Sequence, residues 1–260
     1  MFKRKIIFFL FLFFPLTIKA EVLYPLASLD AYPLSKGKWE LRLGVKYLHD
    51  RWFPFERKDT DRRELQLPQI DLNIGIVHNV EIHLSYFYLY QDSKNTGSKW
   101  GSGDLNVGIK INLLREDIYI PAFSLDISTK LPNADYEKRL GTDETDFFAK
   151  ILLTKKLSEC KIFFNIGIGI LGNPKMYNAQ DDIMVYGFGI SYKMRPSLKV
   201  LGEISGWAFS HKHNNYTVLT LGGQYLLNSS WRIDAGLHFG LTEESEDWGI
   251  STGISYLWQW

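Results

Sequence analysis

Residues 248–260, at the end of the chain, alternate between two kinds of side chain. One phase is almost entirely apolar or aromatic and runs from Trp248 to Trp260, whereas the other phase is mostly small or polar and includes Gly249 and Gly253. Alternation with a period of two predicts a β-strand with two unlike faces. A strand of about 9–11 residues crosses a bilayer as part of a barrel, with apolar residues facing lipid and polar residues facing the lumen. The run therefore predicts a membrane-spanning strand.

The same alternation recurs along the chain and gives about twelve predicted strands in all. The eleven earlier ones are predicted at 39–47, 70–77, 80–90, 104–113, 119–131, 147–157, 162–171, 183–194, 198–209, 217–226 and 231–240. Their connections are alternately short and long, and aromatic residues cluster at the strand ends. Outer-membrane barrels have an even strand number, short periplasmic turns, long external loops and aromatic girdles. The pattern predicts an all-β, antiparallel, up-and-down transmembrane β-barrel.

The first twenty residues have the organisation of a secretory signal peptide. Residues 3–5 are basic, residues 6–16 form an apolar core, and Ala20 is the expected last residue removed. The core is shorter than the ~20 apolar residues of a membrane-spanning helix. We therefore expect a signal peptide at 1–20 and a single barrel domain at 21–260, located in the outer membrane of a Gram-negative cell.

Composition argues against several other classes of protein. The formal net charge of +1 provides no field that would attract nucleic acid, so no nucleic-acid partner is expected. The single cysteine, Cys160, excludes an internal disulfide. The mean hydropathy is close to neutral, which is too polar for a bundle of membrane helices and is typical of a barrel with a wet inner face.

A soluble β-sandwich or lipocalin-like barrel would show the same alternation with its faces reversed. In that fold the apolar phase would face inward and the polar phase would face water. Periodicity alone does not distinguish the two folds. The signal peptide, the alternation of loop lengths, the aromatic strand ends and the terminal strand together favour the membrane-spanning barrel.

The stretch 101–110, GSGDLNVGIK, resembles the GxGDlxlGxK strand of a family of outer-membrane transporters named for the meta-pathway of phenol degradation. Segments 130–133, 165–167 and 203–206 resemble further motifs of that family in the same order. The resemblance implies an outer-membrane barrel of the channel or transporter type, associated with the catabolism of aromatic compounds. The terminal strand resembles the one that the outer-membrane assembly machinery reads, so this machinery and membrane lipid are expected partners.

The polar phase of the predicted strands mixes both signs of charge and is the candidate lining of the lumen. Charges in a low-dielectric wall are expected to pair across strands or to be hydrated. A fully salt-bridged interior would be closed, whereas twelve strands leave room for a narrow, weakly selective pore. The candidate lumen-lining residues are Arg42, Lys46, Glu81, His83, Lys110, Asp126, Lys130, Lys150, Glu203, Arg232 and Asp234.

Other motifs provide little support for catalysis or cofactor binding. Residues 167–172 match the G-x-G-x-x-G pattern, but the residues that follow form no helical pattern, which favours glycines that line the lumen. His211 and His213 share a strand face without a third metal ligand nearby. His83 and Ser85 share the predicted lumen face, which lipid does not reach. We therefore predict no catalytic residue, no cofactor and no metal site.

The sequence and the resemblance together predict a passive channel or transporter of the outer membrane for small solutes, including aromatic or hydrophobic ones. Two alternatives remain open at this point. One is a non-conducting structural barrel that interacts through its long loops, and the other is a lipid-modifying enzyme. The solute, the open or plugged state of the lumen and the oligomeric state are not determined by the sequence.

Overall fold

The computed structural model describes residues 25–51, 61–94, 97–172, 181–209 and 215–259. The predicted signal peptide at 1–20, the pair His211 and His213 and the terminal Trp260 lie outside this part of the chain. Within the part described, no helix is long and apolar enough to span a membrane. The regular structure consists of β-strands that form one antiparallel sheet.

The strands follow each other around the barrel in chain order. They are β1 (Lys38–His49), β2 (Arg63–Val77), β3 (Val80–Asp92), β4 (Lys99–Ser102), β5 (Leu105–Leu114), β6 (Ala122–Leu131), β7 (Asp146–Leu157), β8 (Cys160–Leu171), β9 (Asp181–Arg195), β10 (Leu198–Phe209), β11 (Tyr216–Leu226), β12 (Trp231–Gly240) and β13 (Trp248–Gln259). Strand β1 pairs with both β2 and β13, which closes the sheet. Strands β4 and β5 pair with the two halves of β3 and share one position in the wall. The structure is a closed twelve-position barrel, as predicted.

The largest difference from the predicted bounds is in β2, which begins at Arg63 and not at residue 70. At Leu67 and Pro68 this strand shifts register against both of its neighbours. The two residues are consecutive and both are exposed, so the alternation that includes Glu64 and Gln66 breaks there and resumes at Gln69 in the other phase. A bulge of this kind keeps the inner face continuous while it interrupts the period of two in the sequence.

The exposed and buried faces of the strands are those of a membrane barrel. Along β8, Ile166 and Ile168 are 38% and 57% exposed, whereas Asn165 is 5% exposed. Along β12, Asp234 and His238 are 1% and 2% exposed. A soluble barrel would bury the apolar phase and expose the polar one. The opposite arrangement confirms the predicted membrane-spanning fold and excludes the soluble alternative.

Aromatic side chains mark both rims of the barrel. At the end with the short turns, Trp39 stacks with Trp258 at 6.0 Å between ring centroids. At the end with the long loops, the rings of Tyr90 and Trp100 lie 4.4 Å apart. In outer-membrane barrels the short turns face the periplasm and the aromatic girdles lie at the two interfaces. We therefore call the short-turn rim the periplasmic end and the other rim the external end.

Candidate functional site

The inner face of the barrel carries paired charges, and the first group lies on β1, β2 and β12. Arg42 donates two hydrogen bonds to Asp234, at 2.9 and 2.7 Å, and one to Asp71 at 3.1 Å. Arg232 forms an ion pair with Glu40. Because these side chains lie in a wall of low dielectric constant, each charge needs such a partner to remain ionised.

A second group of charges lies on β3, β5, β6 and β7. His83 shares a hydrogen bond of 2.7 Å with Asp126, and Lys150 reaches the same carboxylate at 3.3 Å. Lys110 forms an ion pair with Glu81 at 3.0 Å. Strand β3 pairs with β2, so this group continues the wall that carries the Arg42 group, and both groups hold cations and anions close together.

A third group lies near the external end. Lys130 pairs with Asp146 at 2.7 Å and lies 3.6 Å from Asp104, and its ammonium group also donates to Thr142 at 2.9 Å. Lys46 follows Arg42 on the same phase of β1 and is one step closer to the external end than Gly44. The predicted lumen residues are thus distributed over most of the height of the barrel.

A segment that precedes β1 lies inside the barrel, and no feature of the sequence predicted this position. We call residues 25–35 the lumen segment. The carboxylate of Glu203 on β10 accepts hydrogen bonds from the three backbone N–H groups of residues 26–28, at 2.7, 3.1 and 2.7 Å. Asn165 on β8 accepts from the N–H of Leu29 and donates to its carbonyl oxygen, both at 2.8 Å. The backbone is therefore held by side chains of the wall.

The same kind of contact continues along the segment toward the periplasmic rim. The N–H of Ala31 donates to the hydroxyl of Thr154 at 3.0 Å, and its carbonyl oxygen accepts from Ser124 at 2.5 Å. The N–H of Leu34 donates to Glu81 at 2.7 Å. Strands β3, β6, β7, β8 and β10 thus bind one continuous stretch of backbone across the periplasmic half of the lumen.

Two side chains of the lumen segment are fixed to the wall and to a periplasmic turn. Asp30 forms an ion pair with Lys161. The hydroxyl of Tyr32 donates to Glu116, and Lys156 lies 4.1 Å from the centroid of the Tyr32 ring. Burial and the neighbouring Glu116 carboxylate raise the pKa of Tyr32. Burial alone would raise the pKa of Glu116, but the hydrogen bonds that it accepts lower this pKa overall.

Two cavities remain in the lumen and follow each other along β3. The inner cavity, of about 310 Å³, lies between the lumen segment and the wall that carries Arg42, and it is lined by His83 and Ser85. The external cavity, of about 330 Å³, is lined by the next inward residues of β3, Phe87 and Leu89. Its other apolar walls are Leu140, Phe148, Leu171, Ile183 and Trp207. The remaining lining is polar and is formed by Arg51, Arg62, Glu64, Asn106 and the group around Lys130.

Trp207 gives the external cavity both an aromatic face and a hydrogen-bond donor. Its ring stacks on Tyr216 with 4.1 Å between centroids, and the hydroxyl of Tyr216 donates to Glu246 at 2.6 Å. The indole N–H is buried and has no acceptor among the described residues. A buried donor of this kind favours a ligand that brings its own acceptor.

The sequence candidates for catalysis and cofactor binding lie in the wall of the barrel. His83 is bonded to Asp126, and among the described residues no hydrogen bond joins it to Ser85. Gly167 and Gly169 belong to β8, and so the glycine pattern lies within a strand of the wall. The part of the chain that the structure describes contains no group of three or more potential metal ligands.

Comparison with known protein families shows to which family the chain belongs. The sequence model of the family described as "Putative MetA-pathway of phenol degradation" matches residues 59–258, which is 200 of the 260 residues. The chain belongs to this family. The resemblance carried by the ordered motifs is therefore confirmed, and the match extends further toward the N-terminus than those motifs do. No curated protein matches the sequence.

Solved structures show the same fold as this member of the family. An outer-membrane channel from Pseudomonas putida F1 matches with a TM-score of 0.68 and 10% identity, over 88% of this chain and 98% of that chain. The translocator domain of the autotransporter NalP from Neisseria meningitidis matches with 0.56 and 10%, over 84% and 88%. The NanC porin matches with 0.56 and 9%, over 84% and 98%. The protein therefore has the fold of an outer-membrane barrel.

One charge interacts differently from the prediction. Glu203 was expected, like the other lumen charges, to pair across strands or to be hydrated, but it binds backbone N–H groups of the lumen segment, and no ion pair involves it among the described residues. Asn165, Thr154 and Ser124 also face the segment, in the periplasmic halves of their strands. Polar side chains that face inward in the periplasmic halves of several strands are the sequence signal that could have revealed a backbone segment bound in the lumen.

Proposed function

We propose that the protein is a passive channel for small solutes that carry an aromatic or apolar part together with a polar group. The observation that carries this proposal is the pair of stacked cavities in the lumen: the external one combines aromatic and apolar side chains with charged ones, and the inner one is lined mainly by polar and paired charged side chains. The family description, which refers to phenol degradation, supports aromatic compounds as the solute class.

The external cavity suits a small aromatic solute in size and in chemistry. Its volume of about 330 Å³ is at the lower end of the ~300–1,000 Å³ that small-molecule sites occupy. Phe87, Phe148 and Trp207 offer ring faces and edges for aromatic contacts. The indole N–H supplies a donor for a hydroxyl or carboxylate oxygen of the solute.

The inner cavity favours weak selection between ions. Arg42 lies between two carboxylates, and Arg232 pairs with Glu40. The fields of such pairs largely cancel along the path, so a solute meets a polar wall without a strong net charge. We therefore expect selection to depend on size and on aromatic contact more than on charge.

We also infer that the protein is not an enzyme. His83 and Ser85 face the lumen, where membrane lipid has no access, and the imidazole bonds to Asp126 and not to the serine hydroxyl. Export through a signal peptide at 1–20, a single barrel domain at 21–260 and insertion by the assembly machinery through β13 belong to the same proposal. A non-conducting barrel is the second candidate, because the lumen segment crosses the periplasmic half of the lumen.

Solute uptake into proteoliposomes tests the proposed function. We expect an aromatic carboxylate to enter faster than an aliphatic carboxylate with the same number of carbons. Trp207→Leu should reduce this preference by about 2- to 10-fold, which corresponds to the ~0.5–1.5 kcal/mol of an aromatic contact. Trp231→Leu, on the outer surface beside Tyr256, is the matched control and should leave the preference unchanged. Uptake no faster than in protein-free vesicles would contradict the proposal.

A further inference from the structure

We propose that the lumen segment is the gate of the channel. Residues 25–35 dissociate from the inner wall to open the periplasmic half of the lumen, and they bind to it again to close the path. This inference rests on the proposed channel function. It concerns a moving part of the molecule, whereas the proposed function concerns what passes through it.

The wall of the barrel is complete without the lumen segment. Every described strand except the short β4, which pairs only with β3, pairs with strands on both sides, and the ring closes between β1 and β13. The lumen segment is instead held mainly by bonds between its backbone and polar side chains, such as those of Asn165 and Thr154. Water can replace each of these bonds without breaking a β-ladder. The segment can therefore leave while the barrel stays folded.

The carboxylate of Glu203, which binds the lumen segment, depends on that segment for its own hydrogen bonds. Glu203 is 1% exposed, and three backbone N–H groups of the segment bond to its carboxylate. A buried carboxylate that loses such donors must gain water in their place. This part of the lumen must therefore become hydrated when the segment leaves. A gate in an aqueous channel requires this coupling between movement and hydration.

A turn at the periplasmic rim connects the segment to the wall and is placed to act as its hinge. Gly37 has a φ of 77°, a left-handed conformation that glycine adopts without a steric penalty. Its N–H donates to the carbonyl oxygen of Gly75 at 2.8 Å, and the N–H of Lys38 donates to that of Ser35 at 3.0 Å. These bonds hold the base of the segment on β2 and β1 while the remainder extends into the lumen.

The wall also contains a fitted pocket for one apolar side chain of the segment. The Cδ1 atom of Leu26 lies 2.4 Å from the position that a Cβ atom would occupy at Gly222, and 3.0 Å from that at Gly236. The absence of side chains on these two neighbouring strands lets Leu26 lie against the backbone. The closed position is thus a specific one, defined by apolar contact as well as by hydrogen bonds.

A disulfide between the segment and the wall tests the gate. A Cβ atom built at Gly187 lies 3.4 Å from the Cβ of Ser28, close to the ~3.5–4.5 Å of natural disulfides. We combine Ser28→Cys and Gly187→Cys with Cys160→Ser, so that no other thiol is present. The protein is refolded into planar bilayers, and single-channel currents are recorded after oxidation and again after reduction. The two single-cysteine variants serve as controls, and the folded state is checked by heat-modifiable electrophoretic mobility.

We expect oxidation to lower the open probability of the double variant at least tenfold, and reduction to restore it. The single-cysteine variants should respond to neither treatment. Equal open probabilities in the oxidised and reduced states would overturn the gate. A second result would also overturn the gate: the wild type and the reduced double variant carry no current, whereas a variant in which residues 25–35 are replaced by glycine and serine does. The segment would then be a fixed plug. Silence of all variants, the last included, would contradict the channel function itself.

Discussion

Replacing Ile166 by arginine should destabilise the barrel strongly if its outer face contacts hydrocarbon. Ile166 lies near the middle of β8 and is 38% exposed on the face opposite to Asn165. An arginine on the lipid face of a barrel costs about 2–4 kcal/mol at the midplane of the bilayer and about 0–1 kcal/mol near the interfaces. We therefore expect a loss of about 2–4 kcal/mol in the free energy of unfolding.

Met194 provides a matched control at another depth. In the register of β8 and β9, Ile166 lies opposite Tyr186, and Met194 lies eight residues further along β9 toward the periplasm. At ~3.3 Å per residue and a strand tilt of ~40°, this separation is about 20 Å along the membrane normal. Half of the ~25 Å apolar band is shorter than that distance. Met194→Arg, at a position that is 56% exposed, should therefore cost only about 0–1 kcal/mol.

The assay is reversible unfolding by denaturant from fluid lipid vesicles, followed by tryptophan fluorescence. The free energy of unfolding of each variant is compared with that of the wild type under the same conditions. Ile166→Arg should lower it by at least about 1 kcal/mol more than Met194→Arg does. Equal effects of the two substitutions would show that depth in a membrane does not govern them, which would refute the assignment of the outer face to lipid.

Three further predictions concern the lumen, the gate and the orientation of the chain. Asp234→Asn leaves Arg42 less compensated, so the reversal potential in a salt gradient should shift toward anion selectivity; no shift would place this pair away from the path. The hydroxyl of Tyr32 donates to Glu116, and the pKa of this carboxyl is lowered in the folded protein. The contact is therefore fully present at a pH above the ordinary pKa of glutamate, and it is lost as the pH falls through the lowered pKa. Channel opening should therefore increase in acid, and Glu116→Gln should weaken that dependence on pH; identical pH profiles would contradict it. Cys160, beside a short turn, should react with an impermeant thiol reagent only after the outer membrane is permeabilised; labelling on intact cells would reverse the orientation.

The architecture could be predicted because alternation is a local property of the sequence. In β12, each inward residue is followed by an outward one, and the burial repeats without interruption from Trp231 to Phe239. In β2 the same rule failed, because Leu67 and Pro68 form a bulge with two consecutive outward residues. A local pattern predicts the faces of a regular strand, and a bulge breaks the pattern without breaking the wall.

The contents of the lumen could not be predicted, because they depend on which strands meet when the barrel closes. Arg42 and Asp234 are 192 residues apart in the chain and bond across the closure. The sequence of the lumen segment has no hydrophobic periodicity, because its backbone is bound by individual side chains such as Glu203 and Asn165 and not by a neighbouring strand. Alternation identified these wall residues as inward-facing, but it contains no information about what they bind.

The conductance of the lumen is tested most directly by single-channel recording of the refolded wild-type protein in a planar bilayer. We predict discrete openings of small amplitude, with a reversal potential close to zero in a salt gradient because cations and anions are paired along the inner wall. A silent bilayer, from protein whose folded state is verified by its heat-modifiable mobility, would contradict the channel function and favour a structural barrel.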